Sequence, residues 1–523
     1  MKKIINAIIL TSSLFLVSCS EDVLDPYTPG SLTEEVALTT SSDIEKVMNA
    51  AYLQLTSRTE SVFTSVFTDE VGIGYANGGQ GLNTEYVFFM NPSQISPINL
   101  WNGTYFALAR INRVLVYADK ITPVNNDDAK KLANLKAQAL TLRAYCHLKL
   151  MAYFSTNLKD DNALAAVLAD RVFLPDEKQN LRATNGVFYS SIQADLNSAI
   201  SIFTNNSIAF SSVYANATFA RGLKARAYAF KGDYTNAEIW ANNVITSSGL
   251  TLATPAEYRA LFFTDSQPLT SEVIFKFKRT NNQNSQDTNL HNGWVSVRPN
   301  LAGSPFYEVS RSLHNLLNPA NLPAGSLATL GDVRANVIIA PSSLIDANYA
   351  TSTDYRNTDR LIINKHGGVV SGTATAAVTA GNGFNNDIKV MRLSEMYMIK
   401  AEARTAANDL AGAATAIKSL LDARFSTPQA LPSFTNATQA WAEILKQRRI
   451  EFAYEGYRYV DLKRLGSLAG VGINRDPADY SSSSANYPAA NPSNLPLNSN
   501  KWTLPIPQDE INVNKAIQQN PGY

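Results

Sequence analysis

The sequence predicts a fold dominated by α-helices, in which helical pairs form a scaffold that carries a large loop-rich region. Three observations support this prediction. Apolar side chains recur at helical spacing in several long segments. Two distant alanine-rich segments match one another as helix pairs. Between the helical segments lie long stretches rich in Asn, Gly, Ser and Pro, which favour irregular backbone.

The N-terminal segment has the layout of a secretory signal peptide over residues 1–18. Two lysines supply a positive start, and residues 4–17 are mostly apolar but too few to cross a bilayer as a helix. Ser18 followed by Cys19 resembles the cleavage box of bacterial lipoproteins. We therefore expect the mature chain to begin at Cys19, where acyl chains would anchor it to a membrane. The alternative is an ordinary cleaved signal with an incidental cysteine.

Three segments of the N-terminal half predict amphipathic helices. Residues 41–57 open on a Ser-Ser-Asp start and continue as an apolar stripe. Residues 101–119 are also helical in pattern, and residues 128–154 predict one long helix. Cys146 lies on that helix, where we expect it to act as a small buried apolar side chain. The glycine-containing stretch 68–100 is predicted to be irregular.

Residues 223–245 and 399–421 form a weak internal repeat. Alanines recur at matching places in the two copies, and Asp233 matches Asp409. Small side chains at these places let two antiparallel helices approach closely, with a turn before the aspartate. The pattern resembles the tetratricopeptide helix pair, and the distance between the copies predicts scattered pairs joined by long insertions.

Long polar insertions occupy much of the C-terminal half. Residues 276–386 hold few helical patterns, and residues 476–500 are rich in Ser, Asn and Pro. Connections of this length are uncommon inside compact domains and are often functional. We expect an N-terminal helical region at residues 19–275 and a C-terminal region with the insertions at residues 276–523.

The composition argues against several classes of function. The chain has 45 basic and 44 acidic residues and a net charge of +1, so it carries no electrostatic footprint for nucleic acid. Cys19 and Cys146 are its two cysteines, which excludes a disulfide framework or a cysteine-based metal site. The four histidines lack metal-ligand spacing, and no nucleotide-binding or nucleophile motif is present. We predict no metal, no cofactor and no catalytic residue.

Two adjacent acidic pairs, Asp69-Glu70 and Asp160-Asp161, could be considered for glycoside hydrolysis. That chemistry requires two carboxyl groups at a defined separation across a substrate. Neighbouring positions in a sequence do not establish such a separation. We expect both pairs to be solvated acids in loops.

Aromatic and amide side chains in two loops are the positive signal for function. Sugar binding uses flat apolar faces against ring C–H groups, with amides, carboxylates and arginines for the hydroxyls. Residues 69–86 and 281–307 contain both aromatic and polar hydrogen-bonding side chains. Trp294 lies among polar residues, where a core tryptophan is less expected. The other four tryptophans are expected to be structural. The candidate ligand contacts are Trp294, Tyr75, Asn77, Tyr86, Asn292, Arg298 and Tyr307.

The C-terminal third carries a series of short motifs. They lie at residues 390–403, 447–452, 455–458, 461–464, 504–511 and 519–523. Together with Trp101-x-x-x-Tyr105 and Lys231-Gly232-Asp233-Tyr234, their order and spacing resemble the SusD/RagB family. The charged residues of these motifs sit at helical spacings, and we expect a partly buried ion network of Arg448, Arg449, Glu451, Glu455 and Arg458.

The resemblance implies a helical scaffold with tetratricopeptide-like pairs and a loop-rich ligand face. It also implies an outer-membrane lipoprotein of the Bacteroidota type, facing the cell exterior; Glu21 and Asp22 resemble the export signal of such lipoproteins. The implied partner is a SusC-like TonB-dependent transporter, over which the protein sits as a lid. The family binds nutrient oligomers and is not enzymatic. Its ligand contacts lie in variable loops, so the candidates above rest on composition and position.

We therefore predict a surface lipoprotein that binds oligosaccharides and delivers them to a SusC-like transporter. A peptide-binding member of the same family is one alternative, although the neutral loops rich in Asn, Ser and Tyr favour a glycan. A surface glycosidase built on a helical scaffold is another alternative. It would need a carboxylate pair in a deep cleft.

Overall fold

The computed structural model describes residues 33–75, 77, 84–174, 177, 180–263, 271–279, 306–352, 355–365, 369–370, 373–374, 387–479 and 492–523. Helices dominate these residues, as predicted. The α-helices are α1 Glu34–Ala37, α2 Ser41–Gln54, α3 Thr59–Phe67, α4 Ile95–Ala118, α5 Asn126–Phe154, α6 Asn185–Asn205, α7 Ala217–Lys231, α8 Tyr234–Ser247, α9 Pro255–Phe263, α10 Arg311–Leu317, α11 Val333–Ile338, α12 Tyr355–Thr358, α13 Leu393–Ala406, α14 Leu410–Arg424, α15 Ala437–Glu451, α16 Arg458–Ala469 and α17 Gln508–Val513.

The strands are short and pair in antiparallel ladders. They are β1 Val71–Ile73, β2 Leu164–Val167, β3 Arg182–Thr184, β4 Val273–Phe277, β5 Tyr307–Val309, β6 Val369–Val370, β7 Thr373–Ala374, β8 Ile388–Arg392, β9 Ile473–Asn474 and β10 Asn494–Leu495. Strand β1 pairs with β5, β2 with β3, β4 with β8, β6 with β7 and β9 with β10. Of these pairs, β1–β5 and β4–β8 join distant parts of the chain.

The three helices predicted in the N-terminal half are present, with shifted ends. Helix α2 is capped by Thr40, whose side chain accepts the Asp43 N–H while the Asp43 carboxylate accepts the Thr40 N–H. Helix α4 begins at Ile95, six residues before the predicted start. Helix α5 is capped by Asn125 and buries Cys146 completely, as expected for that side chain.

The internal repeat corresponds to two equivalent helix pairs, α7–α8 and α13–α14. Asp233 caps α8 and Asp409 caps α14, with nearly the same backbone angles. The turns before them place Gly232 and Asn408 in the left-handed region, with φ of 81° and 58°. The matching alanines of both pairs are buried, and α8 packs against α13. The predicted tetratricopeptide-like pairs are confirmed, and the two copies lie side by side.

Two hydrophobic clusters matter for the position of the site. The larger one joins the N-terminal helices to the C-terminal ones, for example through the stacked rings of Tyr153 and Tyr459, whose centroids are 5.5 Å apart. Trp101, Trp441 and Trp502 are buried in it, so they are structural as predicted. The smaller cluster lies under the β1–β5 ladder and includes Val71 and Val309.

The charged side chains of the C-terminal motifs are buried and paired, but the expected pairing at helical spacing is not what the described residues show. Arg448, Arg449, Glu451, Glu455 and Arg458 each bind partners from other segments and not one another. Arg392 and Arg424 both bind the Glu451 carboxylate, at 2.6 and 2.9 Å. Glu455 accepts from Arg392 and from Lys365, at 2.8 and 2.7 Å. The network therefore extends beyond the last helices to strand β8 and helix α14. Charges buried this deeply are tolerated because each is paired and hydrogen-bonded.

No helix in the described part of the chain is long and apolar enough to cross a membrane. The signal segment 1–18 and Cys19 lie outside the described residues, so cleavage and lipidation there stay predictions. The same holds for the division of the mature chain at residue 276.

Candidate ligand-binding face

The two loops expected to bind ligand meet in the β1–β5 ladder. Val71 pairs with Val309 and Ile73 with Tyr307, and the Gly74 N–H extends the ladder by donating to the Phe306 carbonyl at 2.9 Å. Residues that are far apart in the sequence thus form one surface. We call the surface formed by Tyr75 and Arg360, whose segments are joined by the buried carboxylate of Glu308, the β1–β5 face.

Tyr75 is the exposed aromatic side chain of this face. Its side chain is 43% exposed, and the guanidinium of Arg360 lies 3.8 Å from the ring centroid. Its backbone N–H donates to Glu308 Oε1 at 2.8 Å. Glu308 Oε2 accepts the Leu361 N–H at 3.0 Å, so one carboxylate fixes both segments that carry the ring and the guanidinium. The arrangement offers an apolar ring face beside a planar hydrogen-bond donor.

Asn77 lies next to Tyr75, but its side chain is turned inward. It is 1% exposed, and Nδ2 donates to the Phe306 carbonyl at 3.2 Å. In this conformation the amide holds the β1 loop against the β5 segment. A role for Asn77 in direct ligand contact stays a prediction.

Tyr86 and Tyr307 are close to each other beneath the face. Their rings stack with centroids 6.3 Å apart, and the side chains are 0% and 7% exposed. The guanidinium of Arg475 lies 3.9 Å from the Tyr86 ring centroid. A ring that stacks on a sugar needs an exposed face, so in this structure Tyr86 and Tyr307 support the face while Tyr75 forms it. Their direct contact with ligand stays a prediction.

Trp294, Asn292 and Arg298 lie outside the described residues. Their proposed role as ligand contacts stays a prediction. Of the candidates that the structure describes, Tyr75, Asn77, Tyr86 and Tyr307 all gather at or beneath one surface.

Sequence reasoning missed several polar residues around this face. Arg360 and Glu308 contact Tyr75 directly, and Arg311 lies behind them, paired with Asp359 and 3.7 Å from the Tyr349 ring centroid. No local pattern marks the segment around Arg360. It reaches the face through its bridge to Leu344 and the carboxylate of Glu308, which are both tertiary contacts.

The expectation of solvated acids is wrong for Asp69 and Glu70. Asp69 is 4% exposed and accepts two hydrogen bonds from Arg458, at 2.7 and 2.8 Å. Burial alone would raise its pKa, but Arg449 and Arg458 outweigh burial and hold the pKa of Asp69 well below its usual range. Glu70 is fully buried, and burial raises its pKa to about 7. By contrast Asp160 and Asp161 are exposed, as expected.

The described residues hold no group of three or more His, Cys, Asp or Glu side chains placed to bind a metal. His147 and His314 are both buried, and burial lowers their pKa to about 3 and about 4. Both rings are therefore neutral at physiological pH. The side chains described on the β1–β5 face offer an aromatic ring and a guanidinium for ring contact and hydrogen bonding.

Two family models match the chain. One is described as the SusD family and matches residues 335–523; the other is described as "Starch-binding associating with outer membrane" and matches residues 24–229. No match was found among curated proteins.

Many solved structures share the fold. A SusD superfamily protein from Bacteroides thetaiotaomicron VPI-5482 is 21% identical, with a TM-score of 0.72 over 92% of this chain and 100% of that one. A SusD-like carbohydrate binding protein from Bacteroides vulgatus ATCC 8482 is 18% identical, with a TM-score of 0.68 over 92% and 97%. A laminarin binding SusD-like protein is 21% identical, with a TM-score of 0.62 over 93% and 100%. With both family models matched in order along the chain, this protein belongs to the SusD/RagB family.

Proposed function

We propose that this protein is a lipid-anchored outer-membrane receptor that binds oligosaccharides and passes them to a SusC-like TonB-dependent transporter. The observation that carries the proposal is the exposed ring of Tyr75 beside the guanidinium of Arg360. The family model described as starch-binding and the laminarin binding structure support a glycan as the ligand. Cys19 would supply the anchor, and residues 20–26 would connect it to the rest of the chain.

The chemistry of the β1–β5 face suits capture without turnover. A sugar ring would pack its C–H groups on Tyr75, while Arg360 donates to hydroxyl or ring oxygens. Glycoside hydrolysis needs two carboxyl groups placed on either side of the bond. Here Glu308 accepts two backbone N–H groups and Asp359 is paired with Arg311, so both carboxylates are engaged in holding the structure.

A lipid anchor would keep this protein close to the transporter that it covers as a lid. Attachment to the same membrane would keep the binding face at high local concentration near a transporter between openings. Closure on the transporter would then sequester the ligand from solvent.

The proposal is tested by affinity electrophoresis of the protein against a panel of polysaccharides. We expect retardation by at least one glycan, and the Tyr75→Ala variant should bind it about tenfold more weakly because the stacking face is lost. Tyr75→Phe keeps the ring and should bind like the wild type. Trp294→Ala tests the prediction for that residue in the same assay.

Three results would contradict the proposal. Binding to peptides with no retardation by any glycan would favour the peptide-binding alternative. Release of new reducing ends from a glycan would favour the glycosidase. Equal retardation of wild type and Tyr75→Ala would place glycan binding away from the β1–β5 face.

A further inference from the structure

A second cleft opens where helices α2, α3, α4 and α5 meet, and it shares no residue with the β1–β5 face. It has an outer groove of about 350 Å³ and an inner cavity of about 80 Å³. Both parts are lined by Leu55, Ser57, Glu60 and Lys149, so they adjoin along one boundary. The inner part has room for roughly six water molecules, or a carboxylate and part of a sugar ring.

The outer groove presents unused amides beside an exposed ring. Asn99, Asn102 and Phe106 follow helical spacing on one face of α4, and Gln54 lies opposite at the end of α2. Phe106 is 57% exposed. None of the three amide side chains has a hydrogen bond to a described residue. Amides beside an apolar ring are the groups that hold sugar hydroxyls and ring C–H bonds.

An ion pair forms the boundary between groove and cavity. Lys149 Nζ lies 2.7 Å from Glu60 Oε2, and the Tyr153 hydroxyl donates to Glu60 Oε1 at 2.7 Å. An ammonium has three donors. Glu60 therefore accepts a hydrogen bond from one N–H of Lys149, and the other two N–H groups can donate to a ligand in the cleft.

The inner cavity is lined by a tyrosine hydroxyl that has no hydrogen-bond partner in the described part of the chain. Tyr145 lines the cavity and is 9% exposed, yet its hydroxyl makes no hydrogen bond to a described residue. Burial raises its pKa, so the group stays a neutral donor. A hydroxyl that lines a cavity and has no protein partner can donate a hydrogen bond to water or to a ligand there.

Arg226 adds a second unused donor group to the same cavity. Its Nε and Nη2 bind the Glu395 carboxylate at 2.7 and 2.6 Å, and Nη2 also reaches the Val390 carbonyl. Its Nη1 has no hydrogen bond to a described residue. Unused donors from Tyr145, Arg226 and Lys149 therefore line the inner part of one cleft. A carboxylate, which only accepts hydrogen bonds, is the complementary group.

We propose that this cleft is a second binding site and that it takes an acidic sugar, a uronic acid free or at the end of a glycan. Its carboxylate would enter the inner cavity toward Tyr145, Arg226 and Lys149. Its hydroxyls, or the next sugar residue, would lie in the outer groove along Phe106. The site does not depend on the β1–β5 face.

The test is titration calorimetry of the detergent-solubilised full chain with D-glucuronate, and with D-glucose as the neutral comparison. We expect glucuronate to bind more tightly than glucose. Tyr145→Phe removes one hydroxyl that has no protein partner, so the fold should be unaffected while glucuronate binds about tenfold more weakly. Phe106→Ala alters the outer groove from the surface and should also weaken binding. Tyr397→Phe removes a half-buried hydroxyl away from the cleft and should change nothing.

The outcomes separate this site from the β1–β5 face. Absence of glucuronate binding, equal binding of glucose, or unchanged binding by both Tyr145→Phe and Phe106→Ala would overturn the inference. Loss of glucuronate binding in Tyr75→Ala but not in Tyr145→Phe would also overturn it, because the acid would then bind the β1–β5 face.

Discussion

Two carboxyl groups close to the β1–β5 face have their proton affinity changed by burial. Burial raises the pKa of Glu70 and of Asp479 to about 7 in each case. Glu70 accepts from the Ser65 hydroxyl at 2.8 Å, and Asp479 accepts the Arg311 N–H at 2.7 Å. A Cβ on Gly72 would lie 2.7 Å from Asp479 Oδ1, so β1 requires a glycine to pack this closely.

The raised pKa of Glu70 makes stability depend on pH. The unfolded chain loses this proton near the ordinary pKa of 4.5, while the folded protein keeps it up to about 7. The stabilisation is therefore fully present below 4.5 and is lost as the pH rises through about 7. Glu70→Gln stays neutral at every pH and can hydrogen-bond both Ser65 and the Tyr454 N–H. Between pH 4.5 and about 7 the free energy of unfolding of the wild type should therefore fall by up to about 3 kcal/mol more than that of the variant.

Chemical denaturation at about pH 5 and about pH 8 measures this difference. The depressed pKa values of His147 and His314 act in the opposite sense, because a buried neutral ring loses stability as the pH falls. Both histidines are present in wild type and variant, so their effect cancels in the comparison. An equal change in both proteins would mean that Glu70 titrates normally.

At the scale of the elements, the second helix of each tetratricopeptide-like pair begins with an aspartate N-cap. Asp233 accepts the Asn236 N–H at 3.2 Å and Asp409 accepts the Gly412 N–H at 2.8 Å, each satisfying a donor at a helix N-terminus. A capping aspartate bonds the backbone of its own helix, so it can be recognised in a sequence. The match of Asp233 to Asp409, together with the matching alanines, therefore indicated the repeat.

Loss of either cap should destabilise the fold by a similar amount. We expect Asp233→Ala and Asp409→Ala each to cost about 1 kcal/mol. The two sites lie on different helices, so the double variant should cost about the sum. Asp170→Ala changes an exposed aspartate outside a cap and should stay within about 0.5 kcal/mol. Urea denaturation gives the free energy of unfolding of all four variants. If Asp233→Ala and Asp409→Ala lose no more stability than Asp170→Ala, the two aspartates do not stabilise the helices as caps.

Strands were harder to anticipate than helices. The β1–β5 ladder has three paired positions, too few for alternation of polar and apolar residues to register in the sequence. Its pairing is set by the packing of Val71 and Val309 into the smaller cluster and by the bond from Gly74 to Phe306. These contacts are long-range, so no local pattern contains them.

At the scale of the whole molecule, buried ion pairs connect segments that are distant in sequence. Glu451 binds Arg392 and Arg424, and Arg458 binds Asp69 near the opposite end of the chain. Glu451→Gln should cost about 3–5 kcal/mol, because it leaves buried guanidinium groups without their counter-charge. Glu443→Gln on the same helix removes a partly exposed pair with Lys446 and should cost less than about 1 kcal/mol. Similar midpoints in urea for the two variants would show that the network contributes little.

The anchor makes a separate prediction for the molecule as a whole. Cys19→Ser should move the protein from the membrane fraction to the soluble one and abolish labelling with a radioactive fatty acid, because acylation requires that sulfur. Cys146→Ala removes the other cysteine, which is buried on α5, and should leave the protein in the membrane fraction. Retention of Cys19→Ser on the membrane would mean that something other than the lipid holds it there.

Local patterns in the sequence were enough to predict the helices, the repeated pair and the motifs of the SusD/RagB family. Helical periodicity, capping and composition depend on residues that are close together in the chain, so they can be recognised in the sequence. Which aromatic side chain is exposed and which acids are buried depends on contacts between distant segments, so the sequence did not show it. Tyr75, Tyr86 and Tyr307 look alike in sequence, yet only Tyr75 of the three keeps an exposed ring. The difference arises because exposure depends on what packs against each ring, and those neighbours come from hundreds of residues away.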